Sequence, residues 1–128
     1  MNIPTQLKYT ENDEWLLLDG DQGVIGISDH AQEQLSDIVF VEITVGEGDT
    51  VAKGDIIATV ESVKAAADVY APIGGTVVAI NEALPDSAET INKDPYGKAW
   101  LSKITPTDTA EADGLMDASA YEARIAAA

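Results

Sequence analysis

Clusters of turn residues cut this chain into short pieces: "GEGD", "AKGD", "PIGG" and "DPYG" each supply the positive φ of glycine or the fixed φ of proline. Between and before them lie "IVFVEITV", "DIIATVE", "ADVYA", "GTVVAIN" and "AWLSKI", apolar and β-branched runs of strand length. Strands this short at such regular spacing predict a mainly β sandwich or partly closed barrel and exclude a βαβ repeat. Alternation along "IVFVEITV" puts Val39, Val41, Ile43 and Val45 on one face and Phe40, Glu42 and Thr44 on the other. Nearer the amino end, "DEWLLLDGDQGVIGIS" predicts a hairpin turning at Asp19, Gly20, Asp21 and Gly23. "GDTVAKGDIIATV" and "GGTVVAINEALPD" share a Gly-x-Thr-Val start, a faint echo between two parts of the chain.

Two segments leave the β pattern. In "SDHAQEQLS", Ser28 or Asp29 can cap a short helix with Gln32 in its first turns and Ala31 and Leu35 four apart on one side. "DASAYEARIAAA" predicts a carboxy-terminal helix over 117–126, with Asp117 as cap, Ser119 and Glu122 as a capping box, and Tyr121 and Ile125 on its apolar edge. The polar "TPTDTAEADG" reads as a surface loop leading to it. At 128 residues the chain fits one domain, 1–128, burying roughly two-thirds of its unfolded surface.

Charge and composition remove whole classes of function. With 23 acidic side chains, 7 basic ones and a net charge of −16, the protein repels phosphate backbones and anionic membrane surfaces, so nucleic acid and membrane are excluded as partners. The same charge favours solubility and docking onto basic protein surfaces. Absence of cysteine rules out disulfides, thiolate ligands and a thiol nucleophile, and fits a reducing compartment. Apolar runs stop at four residues ("WLLL", "IVFV", "VVAI"), which argues for a cytoplasmic protein without a membrane span or secretory signal. The lone His30 cannot complete a serine triad with Ser28 and reads as a surface histidine. "DGDQG" lacks the ligand spacing of a calcium loop, and "GEGDTVAKG" lacks the ending of a phosphate loop. "PDSAE" holds the Asp-Ser pair of a phosphopantetheine carrier without the four-helix pattern such carriers need.

One side chain stands out. Lys64 lies between two strand signals in "DIIATVESVKAAADVYAP", flanked by the small Val63 and Ala65. An amine displayed on such a turn is open to an enzyme's grip. A lysine of ordinary pKa, about 10.4, is a poor nucleophile by itself but a good acceptor for enzymatic acylation. Alternation on "IIATVE" puts Ile57, Thr59 and Glu61 on one face, with Glu61 leading into the turn.

"ESVKAAADVYAP" resembles the lipoyl-attachment motif of the H proteins of the glycine cleavage system, and "DEWL", "GVIGISDHAQEQLSDIVFVE", "GDTVAKGD", "PIGGTVVAINEAL", "INKDPYGKAWLSKI" and "LMDASAYEA" resemble further blocks of that family in their usual order. Departures are few: Asp13 stands where the family usually has histidine before Glu-Trp, Ala67 where it often has serine, and Ala99 where it has glycine before Trp100. The resemblance implies a barrel-sandwich hybrid with Lys64 at a hairpin turn and lipoic acid amide-linked to that lysine. It implies a monomeric, non-catalytic carrier of the aminomethyl group of glycine between a pyridoxal-phosphate glycine decarboxylase and a tetrahydrofolate-dependent aminomethyltransferase, reoxidised by dihydrolipoyl dehydrogenase. A lipoate-attaching enzyme is a further implied partner, and Glu61, whose charge alternation places on the approach to the turn, is the candidate for its recognition. Glu14 and Asp68 are the candidates for docking the loaded arm against the body through its cationic amine.

Two other functions share these residues. A biotinyl carrier also presents a hairpin lysine, but between methionines, where this chain has Val63 and Ala65. A lipoate relay, holding the cofactor for transfer to other enzymes, would use the same attachment residues.

Overall fold

The computed structural model describes residues 1–127. Its strands are β1 (Lys8–Tyr9), β2 (Glu14–Asp19), β3 (Gln22–Ile27), β4 (Ile38–Ile43), β5 (Thr50–Val51), β6 (Ile56–Ser62), β7 (Ala66–Tyr70), β8 (Gly75–Ile80) and β9 (Ser102–Pro106). They form a six-stranded sheet in the order β1-β2-β3-β9-β8-β5 and a three-stranded sheet, β4-β6-β7, with every pairing antiparallel. Helix α1 (Asp29–Leu35) follows the first hairpin, α2 (Thr90–Lys93) precedes β9, and α3 (Ala118–Ala127) ends the described chain. This is the mainly β, two-sheet architecture expected, with helices after the first hairpin and at the carboxy end.

The core forms because one face of each sheet is apolar. Leu16 and Ile25 from the first hairpin, Val77 and Ile104 from β8 and β9, and Val41, Val60 and Val69 from the smaller sheet belong to one buried cluster. A second cluster gathers Leu7, Tyr9, Trp15, Ala118 and Tyr121, which fastens α3 to the outer end of the larger sheet. Tyr9 and Tyr121 are stacked there at 4.5 Å between centroids.

Turn chemistry acts as the sequence predicts at Gly20, whose φ of 61° closes the two-residue turn between Asp19 and Gln22. Gly23 belongs instead to β3, opposite Leu18, and a Cβ there would come within 3.0 Å of Leu16 Cδ1. The two Gly-x-Thr-Val segments turn out to be pairing partners, with Thr50 facing Thr76 across β5 and β8.

Two alternation patterns differ from expectation for one reason. The register shifts between Ile38 and Phe40 and again between Ile56 and Ala58, and each irregularity moves the strand by one residue and flips its phase. Ile38 therefore joins the core while Val39 is 59% exposed, so Val39 does not share a face with Val41. On β6, Ile57 is buried with Ala58 and Val60, whereas Glu61 points outward. The expected grouping of Ile57 with Thr59 and Glu61 fails at Ile57.

Local caps settle the helices. Ser28 caps α1, its Oγ accepting the N–H of Ala31 at 3.1 Å, and Gln32 Nε2 donates to Asp29 Oδ1. His30 on this helix is half-buried, with a buried Nδ1 that has no hydrogen-bond partner, and so is less exposed than a surface histidine. Asp117 caps α3 by accepting from Ala120 N at 2.8 Å, which leaves Ser119 and Glu122 exposed inside the helix and not a capping box. "TPTDTAEADG" is more ordered than a loop: Thr109–Gly114 is a 3₁₀ helix with Ala112 buried, and Glu111 Oε1 accepts the N–H of Gly74.

Trp15 faces Gly26 across β2 and β3, and a Cβ on Gly26 would lie 2.6 Å from the indole ring. Gly26→Ala should displace the ring from its bond to Pro95 O and lower stability by about 1–3 kcal/mol. Denaturant unfolding with tryptophan fluorescence checks this. A variant with unchanged midpoint and emission would show that the indole has room to spare.

Candidate functional site

The β6–β7 hairpin carries Lys64 on a three-residue connection, Val63 to Ala65, all exposed. Each N–H from Ser62 to Ala65 is hydrogen-bonded. Ser62 N donates to Ala65 O at 2.7 Å, and Ser62 Oγ accepts the N–H groups of Lys64 at 3.2 Å and Ala65 at 3.0 Å. Val63 N donates to Asp37 O at 3.1 Å, tying the turn to the segment before β4. With its main chain held this way, Lys64 is free only along its side chain. From sequence alone Ser62 is given no role of its own, although a serine just ahead of a turn is a known signal for such a bond.

Glu61 is exposed on β6, between Phe40 on β4 and Ala66 on β7. Asp68 is exposed on β7 opposite Thr59, whose Oγ1 donates to Asp68 Oδ1 at 3.2 Å. Glu14 sits differently. It opens β2 and is 1% exposed, with one carboxylate oxygen accepting from Thr10 Oγ1 and the other from the main-chain N–H of Tyr70 at 3.1 Å. The preceding residue, Asp13, has φ of 69°, a left-handed conformation uncommon outside glycine.

The structure brings Glu14 and Asp68 to the wall of one cavity of about 180 Å³, lying between α1 and the hairpin. Ile27, Ala31, Leu35, Val60 and Val69 give it an apolar lining, and Asn12, Asp13 and Gln34 complete the polar part with the two acids. Asp68 is four residues along the strand from Lys64, roughly 13 Å, within reach of a long acyl chain on the lysine amine. The arrangement suits an extended apolar group ending near carboxylates. Lys64 is its one displayed amine, and among the described residues no group of three His, Cys, Asp or Glu is placed to hold a metal. A larger cavity, about 620 Å³, shares Asn12 and Glu14 with it and is lined also by Lys53, Tyr70 and Arg124.

Burial pushes the Glu14 carboxyl above its usual range; the bonds from Thr10 and the Tyr70 amide oppose this, and the charge of Asp13 adds to it. A carboxyl raised in the folded state binds its proton more readily there than in the unfolded chain. Its contribution to stability is therefore fully present below about pH 4.5 and lost as pH rises through the folded value. Glu14→Gln keeps an oxygen for the Tyr70 amide but cannot ionise. Unfolding free energies measured across pH should show wild type gaining on this variant as pH falls from neutral towards 4.5. A pH-independent difference would show that ionised Glu14 carries no burial cost.

Known proteins resemble this chain over nearly its whole length. Residues 7–128 match the family model described as glycine cleavage H-protein. The glycine cleavage system H protein of Idiomarina loihiensis is 56% identical over 125 residues, covering 97% of this chain and 96% of that protein. The corresponding protein of a Psychrobacter species is 54% identical over the same length, covering 97% of this chain and 98% of its own. The crystal structure of a glycine cleavage system H protein from Mycobacterium marinum superposes with a TM-score of 0.88 at 36% identity, covering 97% of this chain and 99% of that one. The chain belongs to the glycine cleavage H-protein family.

Proposed function

We propose that Lys64 carries lipoic acid in amide linkage and that the protein is the mobile carrier of the glycine cleavage system. The observation that carries this reading is the pairing of a displayed lysine on a hydrogen-bonded turn with a cavity beside the same hairpin whose lining is largely apolar and includes Glu14 and Asp68. The bound lipoyl group would supply the sulfur chemistry that this cysteine-free chain lacks, taking up the aminomethyl group of glycine and passing it on. The chain's own residues present and shelter it. Ser62 and Asp37 fix the turn under Lys64, Glu61 offers a charge to the attaching enzyme, and Glu14 and Asp68 provide carboxylates in the lining of the cavity.

The partners in this reading are the pyridoxal-phosphate glycine decarboxylase, the tetrahydrofolate-dependent aminomethyltransferase, dihydrolipoyl dehydrogenase and the lipoate-attaching enzyme. Catalysis belongs to them, and the carrier works as a cytoplasmic monomer. No helix among the described residues is long and apolar enough to cross a membrane. Val63 and Ala65 beside the lysine favour lipoyl over biotinyl attachment.

Lys64→Arg should fold as wild type, because a turn cation is kept, yet accept no lipoyl group, since a guanidinium is not acylated under these conditions. Wild type treated with the attaching enzyme should move on native electrophoresis from a formal charge of −16 to −17, one ammonium becoming an amide, while the variant stays put. In the same assay Glu61→Gln should be modified more slowly. Full glycine cleavage by the Lys64→Arg carrier would end the proposal, and unchanged modification of Glu61→Gln would reduce Glu61 to a solubilising charge.

A loaded carrier sheltered in the cavity should resist water, which otherwise converts the aminomethyl thioether to free thiol, formaldehyde and ammonium. Glu14→Gln with Asp68→Asn should speed that release several-fold, with lipoylation of Lys64 unchanged. Formaldehyde and ammonia assays on the loaded carrier decide it, and release at the wild-type rate would remove both carboxylates from the dock.

A further inference from the structure

Three residues far apart in sequence meet beside the cavity. Ser28 Oγ and Tyr121 OH are 2.6 Å apart, Tyr121 OH donates to Asp13 Oδ1 at 2.8 Å, and Ala31 N donates to Ser28 Oγ at 3.1 Å. Counting protons fixes the direction of the chain. The Asp13 carboxylate only accepts, so the single phenolic proton goes to it, the Ser28 proton goes to the phenol oxygen, and a Ser28 lone pair remains for Ala31 N–H. Every donor has one acceptor. A separate main-chain bond, Ser28 N to Asp13 O at 2.9 Å, joins the same two positions.

Tyr121 is fully buried, and its ring is stacked on Tyr9 at an interplanar angle of 1°, so its hydroxyl is aimed by packing. Burial holds the phenol protonated far beyond its usual range, and the proton given to Asp13 stays in place through neutral pH. The network ties two contributors to the 180 Å³ cavity where they meet at the end of the first hairpin: Asp13, which lines it beside Asn12 and Glu14, and Ser28, which follows Ile27 and caps the helix that contributes Ala31, Gln34 and Leu35. Asp13 also holds the left-handed φ of 69°, a conformation that needs fixed partners to persist.

We propose that Tyr121, supplied by the carboxy-terminal helix, is a positioning residue, a clamp that holds the start of α1 to the Asp13 end of the first hairpin, both of which line the arm cavity, and so sets how well a docked lipoyl arm is sheltered. The proposal rests on the reading of this cavity as the dock. A tyrosine that merely fills the core would need its ring but not its hydroxyl, and that difference defines the test.

Amide hydrogen exchange on the unlipoylated full chain reads the clamp without any cofactor. Tyr121→Phe should raise exchange at Ala31 N–H about tenfold or more, with the β8–β9 amides of Val77 and Ile104 unaffected beyond the loss of global stability. Asp13→Asn keeps an oxygen acceptor and should retain near wild-type exchange at Ala31. Asp13→Ala should match Tyr121→Phe, and the double variant should add little to either. If Tyr121→Phe folds poorly, Asp13→Ala carries the same prediction. Exchange that rises equally everywhere, or not at Ala31, overturns the clamp.

The loaded Tyr121→Phe carrier should also release formaldehyde and ammonia several-fold faster than wild type, with its rate of lipoylation unchanged. Wild-type release from this variant, alongside fast release from the Glu14→Gln/Asp68→Asn carrier, overturns the clamp alone. Wild-type release from both overturns the dock together with it.

Discussion

The Glu14 carboxylate opens β2 in the six-stranded sheet and accepts the main-chain N–H of Tyr70 at the end of β7, an edge of the three-stranded sheet. An edge strand leaves N–H groups without a ladder partner, and a buried one without any partner costs about 1–3 kcal/mol. Here the missing acceptor is a side chain from the opposite sheet. The hairpin that ends in Lys64 is thereby held against the first hairpin at its base, while Ser62 and the Asp37 carbonyl hold its tip. Burial of an acid is tolerable because both oxygens are occupied, and the same burial raises its affinity for a proton.

This rigidity suits the carrier role proposed for Lys64. The turn beneath Lys64 is fixed by bonds from its N–H groups to main-chain oxygens and to Ser62 Oγ, so a partner meets a constant approach to one exposed side chain. A net charge of −16 gives every partner the same electrostatic invitation, a basic surface. The cavity adds the complementary property, a place for an apolar arm to leave solvent between encounters. Its walls come from the first hairpin, α1 and the Lys64 hairpin, which are joined only in the folded protein.

What was legible in the sequence follows from what is local. Gly20, Gly48 and Gly54 adopt the positive φ that marked their turns, and Ser28 and Asp117 cap the helices they precede. The irregularities on β4 and β6 carry no such marker; each depends on how a strand meets its neighbour, and so Val39 and Ile57 were placed on the wrong faces. Lys64 stood out because a lone lysine between two strand signals is a local pattern. Glu14 and Asp68 came from the family resemblance, since nothing around either residue shows that one is buried and both line one cavity. Tyr121 was recognisable as an apolar edge of its helix, but the partners of its hydroxyl are 93 and 108 residues away, beyond any periodicity.

The central claim is that Lys64 is the single point where a lipoyl group joins this chain. Intact mass spectrometry of the protein made in a lipoate-competent host, followed by a peptide map, tests it directly. One lipoyl increment per chain is expected, carried by the peptide that contains Lys64. A biotinyl increment, a lipoyl group on any of the other lysines, or a chain left unmodified by a competent attaching enzyme would contradict it.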